Sequence, residues 1–106
     1  MITNHQEFIN AIHDKKKLKI VFYSEEDKCF LQRICAPMDY ATGTRIKDGI
    51  PRYWVWDFDS DTKTHTLPLR HERIKSITVL NETFDPSEFV TWVTRWTIDR
   101  DWGKFS

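Results

Sequence analysis

The sequence predicts one α+β domain, in which a short helix precedes five strands and a second helix follows them. Apolar residues recur at helical spacing near both ends of the chain. Five short apolar or alternating segments lie between them, at intervals of about ten residues. The 106 residues, 40% of them hydrophobic and 14% aromatic, are enough for one compact core. The strand spacing alone is typical of a small barrel or a sandwich.

The first helix is expected over residues 4–14. Thr3 and Gln6 have the spacing of a capping box, in which each side chain bonds the backbone N–H of the other residue. Phe8 and Ile12 then lie on one side of the helix because they are four residues apart. Three lysines follow directly, at the end of the helix where the dipole favours cations.

Five strands are expected within residues 18–80. Apolar, β-branched and aromatic residues fill these segments, and polar turn residues separate them. Pro37 cannot donate a ladder hydrogen bond, so it indicates the end of the second strand, a bulge or an edge. The expected strands span residues 18–23, 29–37, 52–59, 64–69 and 74–80.

A second helix is expected over residues 86–97. Asp85 suits its cap and Pro86 its first position. Its apolar stripe is wide enough to seal one face of the strands, or to contact a partner. This stripe consists of Phe89, Trp92, Val93 and Trp96. Trp102 and Phe105 follow in a tail that either tucks back or remains exposed.

Composition narrows the classes of function. Sixteen basic and sixteen acidic side chains cancel, whereas a protein that coats nucleic acid nonspecifically usually carries a basic excess. No segment approaches the roughly 18 apolar residues of a membrane span, and the first residues lack the pattern of a signal peptide. Cys29 and Cys35 lie too far apart on one regular strand for a disulfide. A cytoplasmic protein with reduced thiols is the simplest interpretation.

The sequence predicts no metal site, no cofactor and no catalytic centre. No histidine has a usual ligand spacing with a cysteine, and His71 beside Glu72 lacks the second histidine of a zinc-protease helix. The chain has three glycines and neither a nucleophile elbow nor a glycine-rich phosphate loop. We therefore expect a non-enzymatic protein.

Arginines beside aromatic strands leave ligand binding as the remaining chemistry. Aromatic faces stack on bases, and the planar guanidinium group binds phosphate. Strand alternation puts Tyr53 and Trp54 on opposite faces, so at most one of them can be a platform for a ligand. The competing interpretation places the tryptophans in the core and pairs the arginines with acidic groups, and the residues alone favour it. The arginines are Arg33, Arg52, Arg70 and Arg73.

Several short segments, in their order along the chain, resemble the WYL domain, a small ligand-sensing domain of bacterial regulators. The resemblance covers residues 5–86 and rests on the order of the segments, because each of them is short and common. The aromatic order of the name-giving tripeptide is swapped, and valine replaces its leucine. The segments are Tyr23, Arg33 with Pro37, Tyr53-Trp54-Val55, Glu72-Arg73-Ile74 and Phe84.

The resemblance implies a five-stranded SH3/Sm-like barrel with a short N-terminal helix. WYL domains are mostly fused to a DNA-binding helix-turn-helix, for which this chain has no room, so a standalone single domain over residues 1–106 is expected. The implied function is a non-enzymatic regulatory domain that binds a nucleotide or a short single-stranded nucleic acid. The alternative is a protein-interaction module, either monomeric or dimeric, that uses exposed C-terminal aromatics. The candidate ligand-binding residues are Tyr23, Arg33, Tyr53, Trp54 and Arg73.

Overall fold

The computed structural model describes residues 2–43, 48–60 and 65–106. One α-helix and five strands account for the regular structure of this part of the chain, with short 3-10 turns at 71–73, 86–88 and 103–105. The elements are α1 (His5–Asp14), β1 (Lys16–Ser24), β2 (Cys29–Ala41), β3 (Arg52–Asp57), β4 (Thr66–Leu69) and β5 (Ile74–Thr83). None of the described helices is long and apolar enough to cross a membrane.

The five strands form one antiparallel sheet in the order β4-β3-β2-β1-β5. The predicted SH3/Sm-like barrel is wrong, because the sheet is open and β4 does not pair with β5. β4 has only four residues, and its Pro68 has no N–H for a further ladder. The two edge strands are joined only through residues 70–73, which carry the chain from one edge of the sheet to the other.

The helix α1 covers one face of the sheet. Phe8, Ala11 and Ile12 are buried on its inner side, as their helical spacing requires. The helix begins at His5 with Asn4 as the cap residue, and no side chain caps it, so the capping box expected at Thr3 does not form. Lys15 ends it in a left-handed conformation, and its N–H returns to carbonyls of the last turn.

The second predicted helix is also wrong. Residues 86–88 form a single 3-10 turn, and the described chain beyond it is irregular as far as residue 102. Threonine and valine alternate with tryptophan here, and such residues have low helix propensity. The backbone finds other partners: the N–H groups of Thr97 and Ile98 each donate to the Asp39 carboxylate at 2.9 Å. At the end of this segment, Asp39 therefore satisfies backbone N–H groups that no helix satisfies.

A buried ion pair fastens this C-terminal segment to the sheet. Arg100 has a fully buried side chain, and its Nη2 lies 3.4 Å from Asp39 Oδ1. The guanidinium also donates to the carbonyls of Met38 and Ile98. A register shift in β2 between Pro37 and Asp39 is the bulge that the proline indicated. Beyond this bulge, the Asp39 carboxylate reaches the C-terminal segment.

The core is continuous from α1 through the sheet to the C-terminal segment. The indole N–H of Trp102 donates to the carbonyl of Ile12 at 2.9 Å, so the tail tucks back on the helix. Phe84 and Phe89 pack beside it, with Phe84 and Trp102 ring centroids 5.4 Å apart. Trp102 is therefore a core residue and not part of an exposed surface.

Candidate ligand-binding grooves

Tyr23 and Arg73 are the two predicted site residues that the fold brings together. Tyr23 lies near the end of β1, and Arg73 immediately precedes β5, where Phe22 pairs with Ile74. The guanidinium carbon of Arg73 lies 5.8 Å from the centroid of the Tyr23 ring. This distance is within the range of a cation–π contact. Arg73 also forms an ion pair with Glu25, which follows β1.

A groove of about 410 Å³ opens beside this pair. We call it the arginine groove, because three arginines from different parts of the chain line it. Arg52 begins β3, Arg70 follows β4, and Arg73 ends the 3-10 turn before β5. Its main lining residues are Tyr23, Glu25, Arg52, Pro68, Arg70 and Arg73.

The three arginines differ in how firmly they are held. Arg52 is 8% exposed and binds Asp48 through two hydrogen bonds of 3.1 and 2.8 Å. These bonds hold the pKa of Asp48 well below its usual range and raise that of Arg52. Arg70 lies 2.7 Å from Glu72, but both side chains are about 40% exposed, as is much of the Arg73–Glu25 pair. Arg52 is fixed by its partner, whereas the side chains of Arg70 and Arg73 are partly exposed to water.

Arg33 lies outside this groove. It is on β2, and its Nε is 3.3 Å from the Asp57 carboxylate, while Nη1 donates to the carbonyl of Gln32. Asp57 is buried, and burial raises its pKa, against the opposing effects of Asp59 N–H and of Arg33. Arg33 therefore pairs with an acidic side chain, as the competing interpretation of the sequence expected. It does not lie next to Tyr23.

Tyr53 and Trp54 face opposite sides of the sheet, as alternation requires. Tyr53 is fully buried against α1: its hydroxyl is 2.8 Å from His5 Nδ1 and accepts a hydrogen bond from the Ile2 N–H. Its ring packs edge-on against Phe8. Of the two aromatics, Tyr53 is the core residue, and Trp54 is the one that borders a groove.

That groove has a volume of about 470 Å³ and lies between β3 and the C-terminal segment. We call it the tryptophan groove. The irregular segment supplies one wall, with two tryptophans and an exposed arginine, and Trp54 supplies part of the other. Its principal lining residues are Ala41, Trp54, Trp92, Val93, Arg95 and Trp96.

The C-terminal aromatics divide between the core and this groove. Trp92 is 41% and Val93 85% exposed, while Trp102 is buried and Phe105 half-buried. Stacking links the groove to the sheet, since Trp92 lies over Trp56 at 6.4 Å between ring centroids. Trp92 and Val93 are the exposed part of the stripe that the sequence identified.

Arg52 and Arg70 were named from the sequence among the arginines beside the strands, but they were not included in the candidate site, and Arg95 was not considered. Arg70 could have been included, because it lies only three residues before Arg73. Arg95 could not, because a helix over 86–97 would have turned it away from the apolar stripe. Within the described ranges, no group of three or more histidine, cysteine, aspartate or glutamate residues could hold a metal ion.

In fold, the chain is similar to proteasome accessory factor B/C (PafBC) of Arthrobacter aurescens. The TM-score is 0.62, the match covers 82% of this chain, and 14% of the residues are identical. The chain corresponds to 12% of the length of the PafBC chain. The likeness supports a WYL-like fold. No protein-family model and no curated protein matches the sequence.

Proposed function

We propose that this domain is a non-enzymatic sensor, which binds a nucleotide or a short single-stranded nucleic acid in the arginine groove. PafBC, whose fold it shares in part, is a regulator that contains a WYL domain, and this favours a regulatory role. The observation that carries the proposal is the convergence of Tyr23 with Arg52, Arg70 and Arg73 in one groove.

The groove offers the two contacts that a nucleotide needs. Arg70 and Arg73 present guanidinium groups to water, and each can bind a phosphate with two parallel hydrogen bonds. Tyr23 offers a ring on which a base can stack once Arg73 turns from this ring to the phosphate, and such stacking contributes about 1–3 kcal/mol per base. Arg52 is fixed by Asp48 and its charge is balanced there, so its role is to form a rigid part of the wall of the groove.

Arg70 and Arg73, the two outer arginines of the groove, are each paired with a carboxylate. A bound phosphate has to displace these carboxylates. Glu25 and Glu72 have side chains that are 69% and 41% exposed. Exposed ion pairs of this kind contribute about 0–1 kcal/mol, because water solvates both charges. A phosphate carries at least as much negative charge as the carboxylate that it displaces, so the exchange is favourable once the base also stacks.

The test is a titration of the whole chain with ATP and with a fluorescently labelled thymidine dodecamer, at two salt concentrations. Replacing one outer arginine, Arg73→Gln or Arg70→Gln, should weaken binding by roughly tenfold or more, because a charge-assisted contact is lost. It should also reduce the salt dependence for the oligonucleotide by about one unit of slope. Lys104→Gln, which removes an exposed cation elsewhere, should change neither.

The proposal fails if neither probe binds at high micromolar concentration, or if the arginine variants bind as well as Lys104→Gln. Arg33→Gln offers a further comparison. Because Arg33 is paired with Asp57 outside the groove, we expect its replacement to leave nucleotide affinity within twofold of the original. A larger loss of affinity would indicate that the nucleotide binds at β2 and not in the arginine groove.

A protein-interaction role through the C-terminal tail has less support. Trp102 is buried against Ile12, so removing the tail would unfold the core and not expose an interface. Only Trp92 and Val93 of the C-terminal aromatic stripe are well exposed.

A further inference from the structure

Trp54 differs from the other four tryptophans in its ring contacts. Trp56 is stacked between His65 and Phe89, with centroid distances of 4.9 and 5.1 Å. Trp92, Trp96 and Trp102 form a chain of edge-on contacts. Trp54 makes no ring–ring or cation–ring contact with any described residue, yet its indole N–H is fixed to the carbonyl of Ala41 at 2.9 Å. It is therefore an oriented aromatic surface at the edge of a cavity.

The facing wall of the tryptophan groove is rigid. Asp39 holds the backbone of residues 97–98. Arg100 contacts the rings of both Trp96 and Trp102, with its guanidinium carbon 4.2 and 4.5 Å from their centroids. Trp96 also donates its indole N–H to the carbonyl of Phe105 at 2.8 Å. A groove whose walls are held in place costs a ligand little conformational entropy.

The polar groups left open at this groove favour an anion. Arg95 is exposed and forms no ion pair with a described residue. The Trp92 indole N–H is a donor for which none of the described residues is an acceptor. Asp39 also lines the groove, but its charge faces Arg100 and its oxygens already accept backbone N–H groups. Among the described residues of this groove, the charge that remains available to a ligand is thus the positive charge of Arg95.

We propose that the tryptophan groove binds a small planar aromatic anion, with its ring on Trp54 and its anionic group on Arg95. The volume of about 470 Å³ lies within the 300–1,000 Å³ of small-molecule sites, and it suits one or two fused rings. This site is separate from the arginine groove, because the two cavities share no lining residue.

The test uses 2-naphthoate as the anion and 2-naphthamide as its neutral analogue. Nitrogen-edited NMR spectra resolve the indole N–H signals of the tryptophans, and single Trp→Phe variants assign them. We expect 2-naphthoate to shift the signals of Trp54, Trp92 and Trp96 and to leave that of Trp102 in place. Arg95→Gln should weaken 2-naphthoate binding by roughly ten- to a hundredfold and leave 2-naphthamide binding unchanged.

Three outcomes would overturn the inference: equal binding of the two probes, an Arg95→Gln variant with unchanged affinity, or shifts that centre on Trp102. Lys104→Gln is the matched control, because it removes an exposed cation from the same segment of the chain outside this groove. Trp54→Phe keeps an aromatic ring, and Trp54→Leu removes it, so only the second should abolish binding. Arg73→Gln should leave 2-naphthoate binding intact, and this separates failure here from failure of the nucleotide proposal.

Discussion

Replacing Asp39 by asparagine tests the buried ion pair that fastens the C-terminal segment. The change keeps the size of the side chain and removes its charge. Arg100 then remains fully buried without its ion-pair partner, although burial already lowers its pKa to about 10 against the opposing effects of Asp39 and Asp99. The amide can also accept fewer of the N–H groups of Thr97 and Ile98.

Removing one partner of a buried ion pair costs about 3–5 kcal/mol, because the other charge stays in the protein interior. A domain of this size has a total stability of about 5–15 kcal/mol, so Asp39→Asn should lose a large part of it. With a shift of about 4–8 °C per kcal/mol, the Tm should fall by about 12–40 °C.

Urea unfolding, followed in parallel by tryptophan fluorescence and far-UV circular dichroism, measures this loss. Arg95→Gln is the control from the same segment, and its exposed position predicts a change within about 0.5 kcal/mol. The double variant Asp39→Asn with Arg100→Met removes both charges, so it should recover much of the stability that the single variant loses. A loss below about 1 kcal/mol in Asp39→Asn, or a double variant less stable than the single one, would refute the reasoning.

Three further predictions concern single groups. Trp102→Phe removes the indole N–H that bonds Ile12 and should lower the free energy of unfolding in urea by about 1–3 kcal/mol, whereas no change would place Trp102 outside the core. Ellman's reagent should modify Cys29 rapidly and Cys35 only after unfolding, because Cys35 is buried and burial raises its pKa; fast reaction of both thiols would contradict this. Hydrogen bonding from Arg52 lowers the pKa of Asp48 below its ordinary 3.8. The ionised Asp48 carboxylate therefore stabilises the folded state above pH 3.8, and this stabilisation is lost as the pH falls through the folded-state pKa. Asp48→Asn should therefore lose less stability than the original protein in an acid titration below pH 3.8, and identical titrations would be evidence against the pair.

The strands could be predicted from the sequence because their cause is local. Alternation of apolar and polar residues marks β1, and it also decides that Tyr53 and Trp54 face opposite sides. The observed strands overlap every predicted segment, and β2 extends four residues beyond Pro37 because a bulge accommodates the proline. Closure of the sheet depends on pairing between its first and last strands, which no local pattern shows. The predicted barrel is wrong because the short β4 does not pair with β5.

The second helix failed for a different reason. Trp92 and Trp96 have helical spacing in the sequence. However, the backbone N–H groups of Thr97 and Ile98 donate to Asp39, which lies 58 and 59 positions earlier in the chain. Asp39 lies outside residues 86–97, so no pattern within that segment could have revealed this contact. The tryptophan groove and Arg95 could not be predicted for the same reason. Tyr23 and Arg73 were candidates through the family resemblance, and the observed pairing of β1 with β5 brings them together.

The arginine groove lies beside residues 70–73, the short connection between the two edge strands of the open sheet. Pro68 belongs to the edge strand β4, and Arg73 adjoins the opposite edge strand β5. A ligand held there would act as a brace between the edges. β4 has only four residues and one neighbouring strand, so its opening is expected to cost the least free energy, and opening it dismantles the groove. Ligand binding would then raise the free energy needed to open β4 by RT ln(1 + [L]/Kd), and it would slow hydrogen exchange in β4 accordingly. Occupancy of the groove would thus be expressed as the stiffness of one edge of the sheet.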